Sequence, residues 1–520
     1  MINIRQPKSW KETLRACLHP RVLTMLIYGI SAGIPLLLIF SSLSLWLREA
    51  GVERAAVTYF SWAALGYSFK FVWAPLVDKL PLPIFTRLLG RRRAWLLLSQ
   101  LMVMSAISLM AFTDPASDSL TLMAWAAVIL GFSSATQDIV IDAYRIESAE
   151  ADLQALMSSS YIAGYRIGMI VAGAGALTLA SYWGSTMASY SYHAWQMTYL
   201  VMAGVMLIGI ATTIRINEPK ISRTNDILVE KNHYFGFLLL FILAAAGFVA
   251  CFSYSGDIAG APQLYLSTVL GNTNFSAVIV EFGRLIIALT AAAVIAKLVV
   301  SSGLVKQETV VKTYVGPIKD FFDRYGIVLA WLLLALIGLY RISDIVLGVI
   351  SNVFYQDLGF TKYEIASVVK TFGLIMTIVG GFLGGLLAVR FGVMRILFLG
   401  ALLSSLTNLL FMALVTVGHD MMMLYLVISV DNLSAGLASA AFIAFLSSLT
   451  NISFTAVQYA IFSSLMTLLP KILGGYSGSI VESLGYETFF LITALMGVPV
   501  LLLILWAGKR FTLNQVTMKS

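Results

Sequence analysis

Charged side chains lie inside several long apolar segments of this 520-residue chain, and they are the residues best suited to chemistry. A charge inside a lipid bilayer is costly, so such residues usually face a protein interior and bind a partner or a transported solute. Arg166 lies roughly ten residues into its segment, which places it near the midplane at about 1.5 Å per residue. Its guanidinium could bind a carboxylate through two parallel hydrogen bonds, or it could form a structural pair with an acid of the preceding helix.

Two acids precede Arg166 on one helix face. Asp138 and Asp142 are four residues apart, and Arg145 follows three residues later, so all three share a face. A desolvated carboxylate beside another can take up a proton, which makes both acids candidates for proton coupling. The alternative is a salt-bridge lattice with Lys70 and the arginine loop at Arg91–Arg93, which would close the inner gate, and Arg145 is a further gating candidate.

A second charged group occurs in the C-terminal half of the chain. Arg341 and Asp344 are three residues apart, Lys370 lies on the next predicted helix, and Asp431 lies at a comparable depth further along. The two acids and two bases could simply neutralise each other. They could also form a proton and carboxylate site, with Arg341 and Lys370 binding cargo and Asp344 and Asp431 binding protons.

Other kinds of chemistry find little support in the sequence. Its only cysteines are Cys17 and Cys251, and its four histidines fall at or outside the ends of apolar segments, so no spacing suits a metal or a disulfide framework. The two longest polar stretches are short and basic. We therefore expect neither an enzyme nor a resident metal or cofactor.

The composition identifies the medium in which these residues lie. Hydrophobic residues make up 59% of the chain and charged residues 12%, whereas soluble domains have about 25% charged residues. The mean hydropathy is +0.88. Such a chain cannot cover a surface in water, which excludes a soluble enzyme or nucleic-acid binder despite the net charge of +8. The sequence predicts an all-α polytopic membrane protein.

Apolar stretches of 18 residues or more predict fourteen membrane spans, grouped six, two and six. The predicted spans are 23–46, 56–77, 94–113, 119–143, 156–181, 195–214, 233–256, 274–300, 327–350, 363–389, 394–417, 421–447, 455–480 and 487–508. About twenty polar and basic residues precede the first span, so we expect no cleavable signal peptide.

The distribution of basic residues predicts the orientation. With a cytoplasmic N-terminus, 25 of the 34 Lys and Arg residues fall in cytoplasmic segments and three (Arg48, Arg54, Lys362) on the opposite side. A missed or invented helix would mix the two sets, because cytoplasmic loops carry the excess of positive charge. We therefore predict an even number of spans and two cytoplasmic termini.

The loop after the second span carries a signature of its own. Trp73-Ala-Pro-Leu-Val-Asp78-Lys79 is followed by Gly90-Arg91-Arg92-Arg93, and this resembles the motif between helices two and three of major-facilitator transporters. Asp78 and Arg91–Arg93 could form a cytoplasmic latch, or the arginines could serve only orientation by binding anionic headgroups. In the first span, Gly33 and Pro35 could provide a hinge, although a proline within a span is often only tolerated.

Motifs spread along the chain resemble the AmpG-type muropeptide permeases. They include Gly29-Ile-Ser-Ala-Gly33-Ile-Pro35-Leu, Phe69-Lys70-Phe-Val-Trp73, Ser134-Ala-Thr-Gln137-Asp138-Ile-Val-Ile-Asp142, Gly164-Tyr165-Arg166-Ile-Gly168, Tyr340-Arg341-Ile-Ser-Asp344 and Lys370-Thr-Phe-Gly373. They occur in order from about residue 23 to 510. The resemblance departs in the two inserted spans and in the thin glycine run after Asp431-Asn432.

This resemblance implies a major-facilitator fold and import of anhydro-muropeptides across a bacterial inner membrane by proton symport, with no cofactor beyond the proton gradient. The family role is peptidoglycan recycling, linked to β-lactamase induction in some organisms. Tyr28 and Tyr165 could stack on cargo sugars, with Arg166, Arg341, Lys370 and Lys70 as further binding residues. The alternative is a major-facilitator carrier of a peptide, a siderophore or a nucleotide-linked metabolite.

The predicted organisation follows the spans. We expect a monomer that contacts cargo and membrane lipids but no nucleic acid. The predicted segments are a cytoplasmic N-terminal segment (1–22), a six-helix bundle (23–214), cytoplasmic linkers with two inserted helices (215–326), a second six-helix bundle (327–508) and a cytoplasmic tail (509–520).

Overall fold

The computed structural model describes residues 16–52, 67, 69–117, 120–148, 151–186, 189–219, 231–271, 273–361, 364–474 and 477–517. The helices of the N-terminal half are α1 (Pro20–Leu37), α2 (Leu43–Glu49), α3 (Ala74–Lys79), α4 (Phe85–Leu89), α5 (Arg91–Ala111), α6 (Leu120–Ser148), α7 (Ala151–Ile170), α8 (Ala176–Tyr182) and α9 (Tyr192–Arg215). Short π-helical turns join α1 to α2 (Leu38–Ser42) and α7 to α8 (Val171–Gly175).

The rest of the described chain is also helical. The middle of the chain forms α10 (Lys231–Ile258), α11 (Gly260–Leu270), α12 (Thr273–Ser301) and α13 (Gln307–Val310). The C-terminal half forms α14 (Gly316–Leu339), α15 (Ile342–Asp357), α16 (Gly373–Phe391), α17 (Val393–Val417), α18 (Met421–Leu449), α19 (Thr455–Gly474), α20 (Ser477–Leu495) and α21 (Gly497–Thr517).

Eleven helical segments of the described residues are long and apolar enough to cross a membrane, and two shorter apolar helices accompany them. Large apolar side chains such as Trp125, Leu207 and Leu502 lie exposed on their surfaces, as lipid-facing residues do. A helix satisfies its own backbone hydrogen bonds, which a bilayer core demands. The polytopic all-α prediction is therefore confirmed, while most of the predicted span 56–77 lies outside the described residues.

The helices differ from the prediction in two details. The predicted span 327–350 corresponds to a candidate membrane span, Val311–Gly348, but a turn at Tyr340 and Arg341 divides it between α14 and α15. An additional helix, α11, follows the first inserted span and was not predicted. Gly326 (φ 71°) and Gly485 (φ 77°) mark sharp turns within α14 and α20, a backbone conformation that suits glycine.

Close backbone contact joins α1 to α7 in the N-terminal half. A Cβ atom at Gly33 would lie 2.1 Å from the Tyr165 carbonyl oxygen, and one at Gly164 would lie 2.0 Å from the Leu26 carbonyl oxygen. Glycine at both positions removes the side chain that would separate the helices. Gly33 thus serves as a packing residue, and it fixes the position of the Tyr165–Arg166 segment against α1.

Aromatic packing forms the core of the N-terminal half at the end away from the Arg91–Arg93 loop. Trp46 and Trp195 are fully buried, and their rings stack at 5.6 Å. The Tyr190 hydroxyl donates to Asp114 Oδ1 at 2.6 Å, and burial together with this hydrogen bond raises the pKa of Tyr190. Neighbouring helices cover Trp46, although it lies near the end of the predicted span 23–46.

The contacts divide the chain into two units, residues 1–222 with 321–520, and residues 223–320. Within the smaller unit, α10 packs against α12. Arg284 of α12 donates from Nη2 to the Phe252 carbonyl oxygen at 2.7 Å and lies 4.5 Å from the Phe252 ring centroid. The predicted domain boundaries themselves stay a prediction.

Candidate functional site

Asp78 joins the two halves of the larger unit beside the arginine loop. Its Oδ1 accepts a hydrogen bond from Arg92 Nη2 at 2.6 Å, and its Oδ2 accepts one from the Val457 backbone N–H at 3.0 Å. Val457 lies in the first turn of α19, where backbone N–H groups lack helical partners and favour a negative charge. Asp78 is fully buried, so this contact holds α3 of one half against α19 of the other.

The three loop arginines have different surroundings. Arg92 is fully buried and also contacts Glu147 Oε1 at 2.5 Å. Arg91 donates to the Asp78 carbonyl oxygen at 2.7 Å, and Arg93 donates to the Thr213 and Ile214 carbonyl oxygens. A buried Arg92 between two acids cannot meet lipid headgroups, so orientation alone does not account for it.

Arg145 makes a second contact between the halves on the same side of the molecule. Its Nη1 lies 2.8 Å from Ser158 Oγ and 2.7 Å from Ser447 Oγ of α18, and its Nη2 lies 3.2 Å from Asp142 Oδ1. The guanidinium also lies 5.1 Å from the ring centroid of Tyr459 in α19. In the described part of the chain, the hydrogen bonds between the halves lie on this signature-loop side.

A cluster that we call the lower cluster (Lys70, Asp138, Asp142, Tyr161) lies next to Arg145. Lys70 Nζ is 3.9 Å from Asp142 Oδ2, and the Tyr161 hydroxyl donates to Asp138 Oδ1 at 3.1 Å. Lys70 also interacts electrostatically with Asp138. Lys70, Asp138 and Asp142 are each about 8% exposed. The structure therefore brings Lys70 and Asp142 together, whereas the arginine loop pairs with Asp78 and Glu147. Among the described residues, the hydrogen-bond donor to Asp138 is the neutral Tyr161 hydroxyl.

A second cluster, the upper cluster (Arg341, Asp344, Asp431, Thr407, Ser439), lies in the C-terminal half. Arg341 Nε is 3.1 Å from Asp344 Oδ2, and Arg341 Nη1 donates to Ser439 Oγ at 2.5 Å. Thr407 Oγ1 is 3.3 Å from Asp431 Oδ1, and Asp431 interacts electrostatically with Asp344 and Arg341. Lys370 belongs to the π-helical segment Ile365–Phe372, but its side chain lies outside the described residues.

Arg166 lies between the halves and is short of partners. Among the described residues its guanidinium has one hydrogen-bonding contact, with Met169 Sδ at 3.8 Å, and no acid at ion-pair distance. Arg341 of the C-terminal half interacts electrostatically with it. The alternative of a structural pair with an acid on α6 is therefore not what the described residues show.

Comparisons with known proteins identify the family of the chain. The family model of the Major Facilitator Superfamily matches residues 22–337, more than half of the chain. The chain belongs to this superfamily. Its AmpG branch is shown by a relative from Rickettsia conorii named as the transporter AmpG 4, which is 30% identical over 94% of this chain and 97% of its own length.

Further relatives and solved structures support the same membership. The anhydromuropeptide permease of Escherichia coli K12 is 29% identical over 95% of this chain and 81% of its own length. The major-facilitator transporter FucP in its outward conformation aligns with a TM-score of 0.55 at 11% identity, covering 95% of this chain and 99% of its own. The human organic anion transporter MFSD10 aligns with a TM-score of 0.54 at 12% identity, covering 93% and 99%.

Membership in the superfamily makes this chain a multi-pass membrane transporter and not an enzyme. In the part of the chain that the structure describes, no group of three or more His, Cys, Asp or Glu residues could hold a metal ion. The solved structures share only the fold with this chain, because their identities are low.

Two residues named from the sequence lie apart from both clusters. Tyr28 is fully buried, its hydroxyl lies 3.2 Å from Thr213 Oγ1, and its ring packs edge-on against Tyr144. Pro35 is buried inside α1, one turn before the π-helical segment Leu38–Ser42. The structure thus gives Tyr28 and Pro35 neighbours within the N-terminal half, whereas Tyr165 lies beside Tyr161 with ring centroids 6.0 Å apart.

Several residues of this major-facilitator site were missed by the sequence analysis. Glu147 binds Arg92, Glu218 accepts from the Arg92 and Arg93 backbone N–H groups, and Tyr161, Thr407 and Ser439 bind cluster charges. Glu147 could have been found by its position at the end of the Asp138–Arg145 helix. The hydroxyl residues carry no such signal, because Ser, Thr and Tyr are common in membrane helices.

Proposed function

We propose that this transporter imports anhydro-muropeptides into the cytoplasm of a bacterium by proton symport, across the inner membrane and with both termini in the cytoplasm. The observation that carries the proposal is Arg166, which has no acid at ion-pair distance among the described residues, together with one charged cluster in each half of a major-facilitator fold. The named function of the E. coli relative supports the choice of cargo. Muropeptides join sugars to a peptide that carries carboxylates, which suit arginine and aromatic side chains.

The upper cluster offers a simple mechanism for coupling. Arg341 is paired with Asp344, and Asp431 interacts with both. A proton taken up by Asp431 removes one negative charge from this cluster, so that a cargo carboxylate can approach Arg341 with less repulsion. Proton binding and cargo binding then favour each other, as symport requires.

The lower cluster suits a role in the gate. Lys70 and Arg145 share Asp142, and Arg145 bonds to Ser447 of the other half. Opening of this side must break the Arg145–Ser447 and Asp78–Val457 hydrogen bonds together. Release of the cargo carboxylate and proton to this side follows once the two halves separate here.

Uptake into vesicles tests the proposal. Proteoliposomes that contain the purified protein would receive radiolabelled GlcNAc–anhydro-MurNAc tripeptide, with and without an imposed proton gradient that is acidic outside. We expect accumulation only with protein and several-fold more of it with the gradient. Protein-free liposomes and a protonophore are the controls.

The uptake assay can contradict the cargo and the proton coupling separately. Label counts equal to those of protein-free liposomes would contradict the muropeptide cargo and favour another solute of the same superfamily. Uptake that ignores the gradient would contradict proton symport but leave the cargo in place.

A further inference from the structure

We propose that Arg166 and Arg341, one from each half of the bundle, form a paired anion site, and that their mutual repulsion holds the cargo-free halves apart until a carboxylate of the cargo binds between them. The proposal rests on the proposed function for the identity of the cargo, but its electrostatic part depends only on the transporter fold. It names the chemical group that the transporter recognises and explains why closure would require cargo.

The position of Arg166 is fixed by backbone packing. Gly33 and Gly168 bring α1 against α7, with a Cβ at Gly168 only 2.2 Å from the Ile30 carbonyl oxygen. The same helix α7 packs against α16 and α18 of the C-terminal half. Arg166 therefore projects from an element that is held on both sides, and its side chain cannot withdraw by a shift of the helix.

The position of Arg341 is fixed in a different way. It lies at the break between α14 and α15, and Asp344 and Ser439 hold two of its nitrogen atoms. The ion pair with Asp344 and the hydrogen bond to Ser439 orient the guanidinium. Ser439, which accepts a hydrogen bond from Arg341, belongs to α18, and α18 packs against α7, the helix that carries Arg166.

The charge balance of the two arginines differs. Arg341 has Asp344 beside it, whereas Arg166 has the neutral Met169 sulfur as its hydrogen-bonding contact among the described residues. Among the described residues, Arg341 interacts electrostatically with Arg166. Two like charges at low dielectric repel strongly, and a carboxylate that accepts from both guanidinium groups turns that repulsion into attraction.

This arrangement makes closure of the side away from the signature loop depend on cargo binding. In the described residues the hydrogen bonds between the halves lie on the signature-loop side, so closure of the opposite side requires α7 and α15 to approach each other. The approach is opposed while both guanidinium groups lack a shared anion. Cargo with a carboxylate at this point therefore permits occlusion, and a neutral analogue does not.

A distance measurement tests the repulsion without any cargo. Spin labels would be placed at Ala116→Cys and Met422→Cys, two exposed positions in different halves on the side away from the signature loop, with Cys17→Ser and Cys251→Ser as background. In the otherwise unchanged protein we expect a single population with a long distance between the two labels. In Arg166→Gln we expect an additional population with a shorter distance between them. Arg166→Lys keeps the charge and should behave like the unchanged protein. Arg215→Gln, an exposed arginine at the end of α9, is the matched control.

A binding measurement tests the carboxylate. Anhydro-muropeptide tripeptide with free peptide carboxylates would be compared with the same compound after conversion of those carboxylates to amides. We expect the unchanged protein to bind the amide at least about tenfold more weakly than the free acid. In Arg166→Gln, binding of the free acid should weaken, and the ratio of the two dissociation constants should fall to nearly one. Arg215→Gln should retain the preference.

The outcomes separate this inference from the proposed function. If the protein binds neither compound, the muropeptide function fails. The distances between the spin labels without cargo still test whether Arg166 and Arg341 repel each other. Distances in Arg166→Gln that match those of Arg215→Gln would overturn the inference, even if muropeptides are transported. An unchanged preference for the free acid in Arg166→Gln would overturn the carboxylate contact.

Discussion

At the scale of single residues, the chemistry of this transporter depends on charges that lie in two groups and are not equivalent. Asp142 is shared by Lys70 and Arg145, which suits a structural acid. Asp138 and Asp431 each accept a hydrogen bond from a neutral hydroxyl, of Tyr161 and Thr407 respectively. A carboxylate that is held by a neutral donor can gain or lose a proton without breaking an ion pair, so these two remain our candidates for the coupled proton.

The substitutions Asp138→Asn and Asp431→Asn test that assignment. Asparagine keeps the hydroxyl contact and the shape but cannot carry a proton. In whichever variant removes the coupled proton, gradient-driven accumulation should fall at least about tenfold while exchange of internal for external cargo continues. Asp357→Asn, an exposed acid that bonds to Tyr486, is the control. Full gradient-driven accumulation in both test variants would contradict the assignment.

At the scale of secondary-structure elements, glycine positions decide how closely the helices approach. In the N-terminal half the α1–α7 contact depends on Gly29, Gly33 and Gly164, and in the C-terminal half the α16–α18 contact depends on Gly380 and Gly436. At each of these five positions an added Cβ would lie within about 2.2 Å of a backbone oxygen. Close glycine packing therefore holds together α1 and α7, the pair that carries Arg166, and α16 and α18, the pair that carries Asp431.

A single methyl group at Gly33 tests this packing. Gly33→Ala should destabilise the protein by about 1–3 kcal/mol, because backbone cannot move aside as a flexible side chain can. Gly204→Ala is the matched control, since nothing lies within 4 Å of a Cβ there and alanine favours a helix over glycine. Thermal unfolding in detergent would measure both. Equal melting temperatures for the two variants would show that α1 and α7 are not held by this contact.

The sequence predicted the membrane-spanning helices better than the breaks between helices. Apolar length gave the spans because a bilayer requires about 20 apolar residues per helix. The break at Tyr340–Arg341 was not predicted, since the flanking residues 327–350 read as one apolar run. Tertiary contacts supply the reason for the break, with the Tyr340 hydroxyl bonded to the Leu397 carbonyl oxygen and Arg341 to Asp344 and Ser439.

At the scale of the whole molecule, the signature-loop side is held closed by contacts from both halves. Asp78 bonds to the start of α19, Arg145 bonds to Ser447, and Lys79 lies 5.2 Å from the ring centroid of Phe454. Alternation between two states requires these contacts to be broken together. Their combined strength therefore sets how much of the protein is closed on this side.

The substitution Asp78→Asn tests the lock. It removes the negative charge that faces both Arg92 and the first turn of α19, and loss of one partner of a buried pair costs about 3–5 kcal/mol. A cysteine at Ser159, which is buried against Gly385 of the other half, should then react with a polar thiol reagent at least about tenfold faster. The background would carry Cys17→Ser and Cys251→Ser.

Asp114→Asn is the control for the lock, because Asp114 bonds to Tyr190 at the opposite end of the molecule. The Ser159→Cys thiol should react at the unchanged rate in that variant. An unchanged rate in Asp78→Asn as well would show that Asp78 does not hold this side closed.

The amino-acid sequence by itself determined that this chain is an all-helical membrane transporter, because apolar length, low charge and ordered motifs are local properties that need no folded structure. The sequence also identified the charged candidate residues, because a charged residue within an apolar segment can be recognised without knowing where it packs. Only the tertiary structure decided which charges meet. Arg145 and Ser447 are 302 positions apart in the sequence, and Asp78 and Val457 are 379 apart, so their contacts depend on how the two halves pack and not on any local pattern.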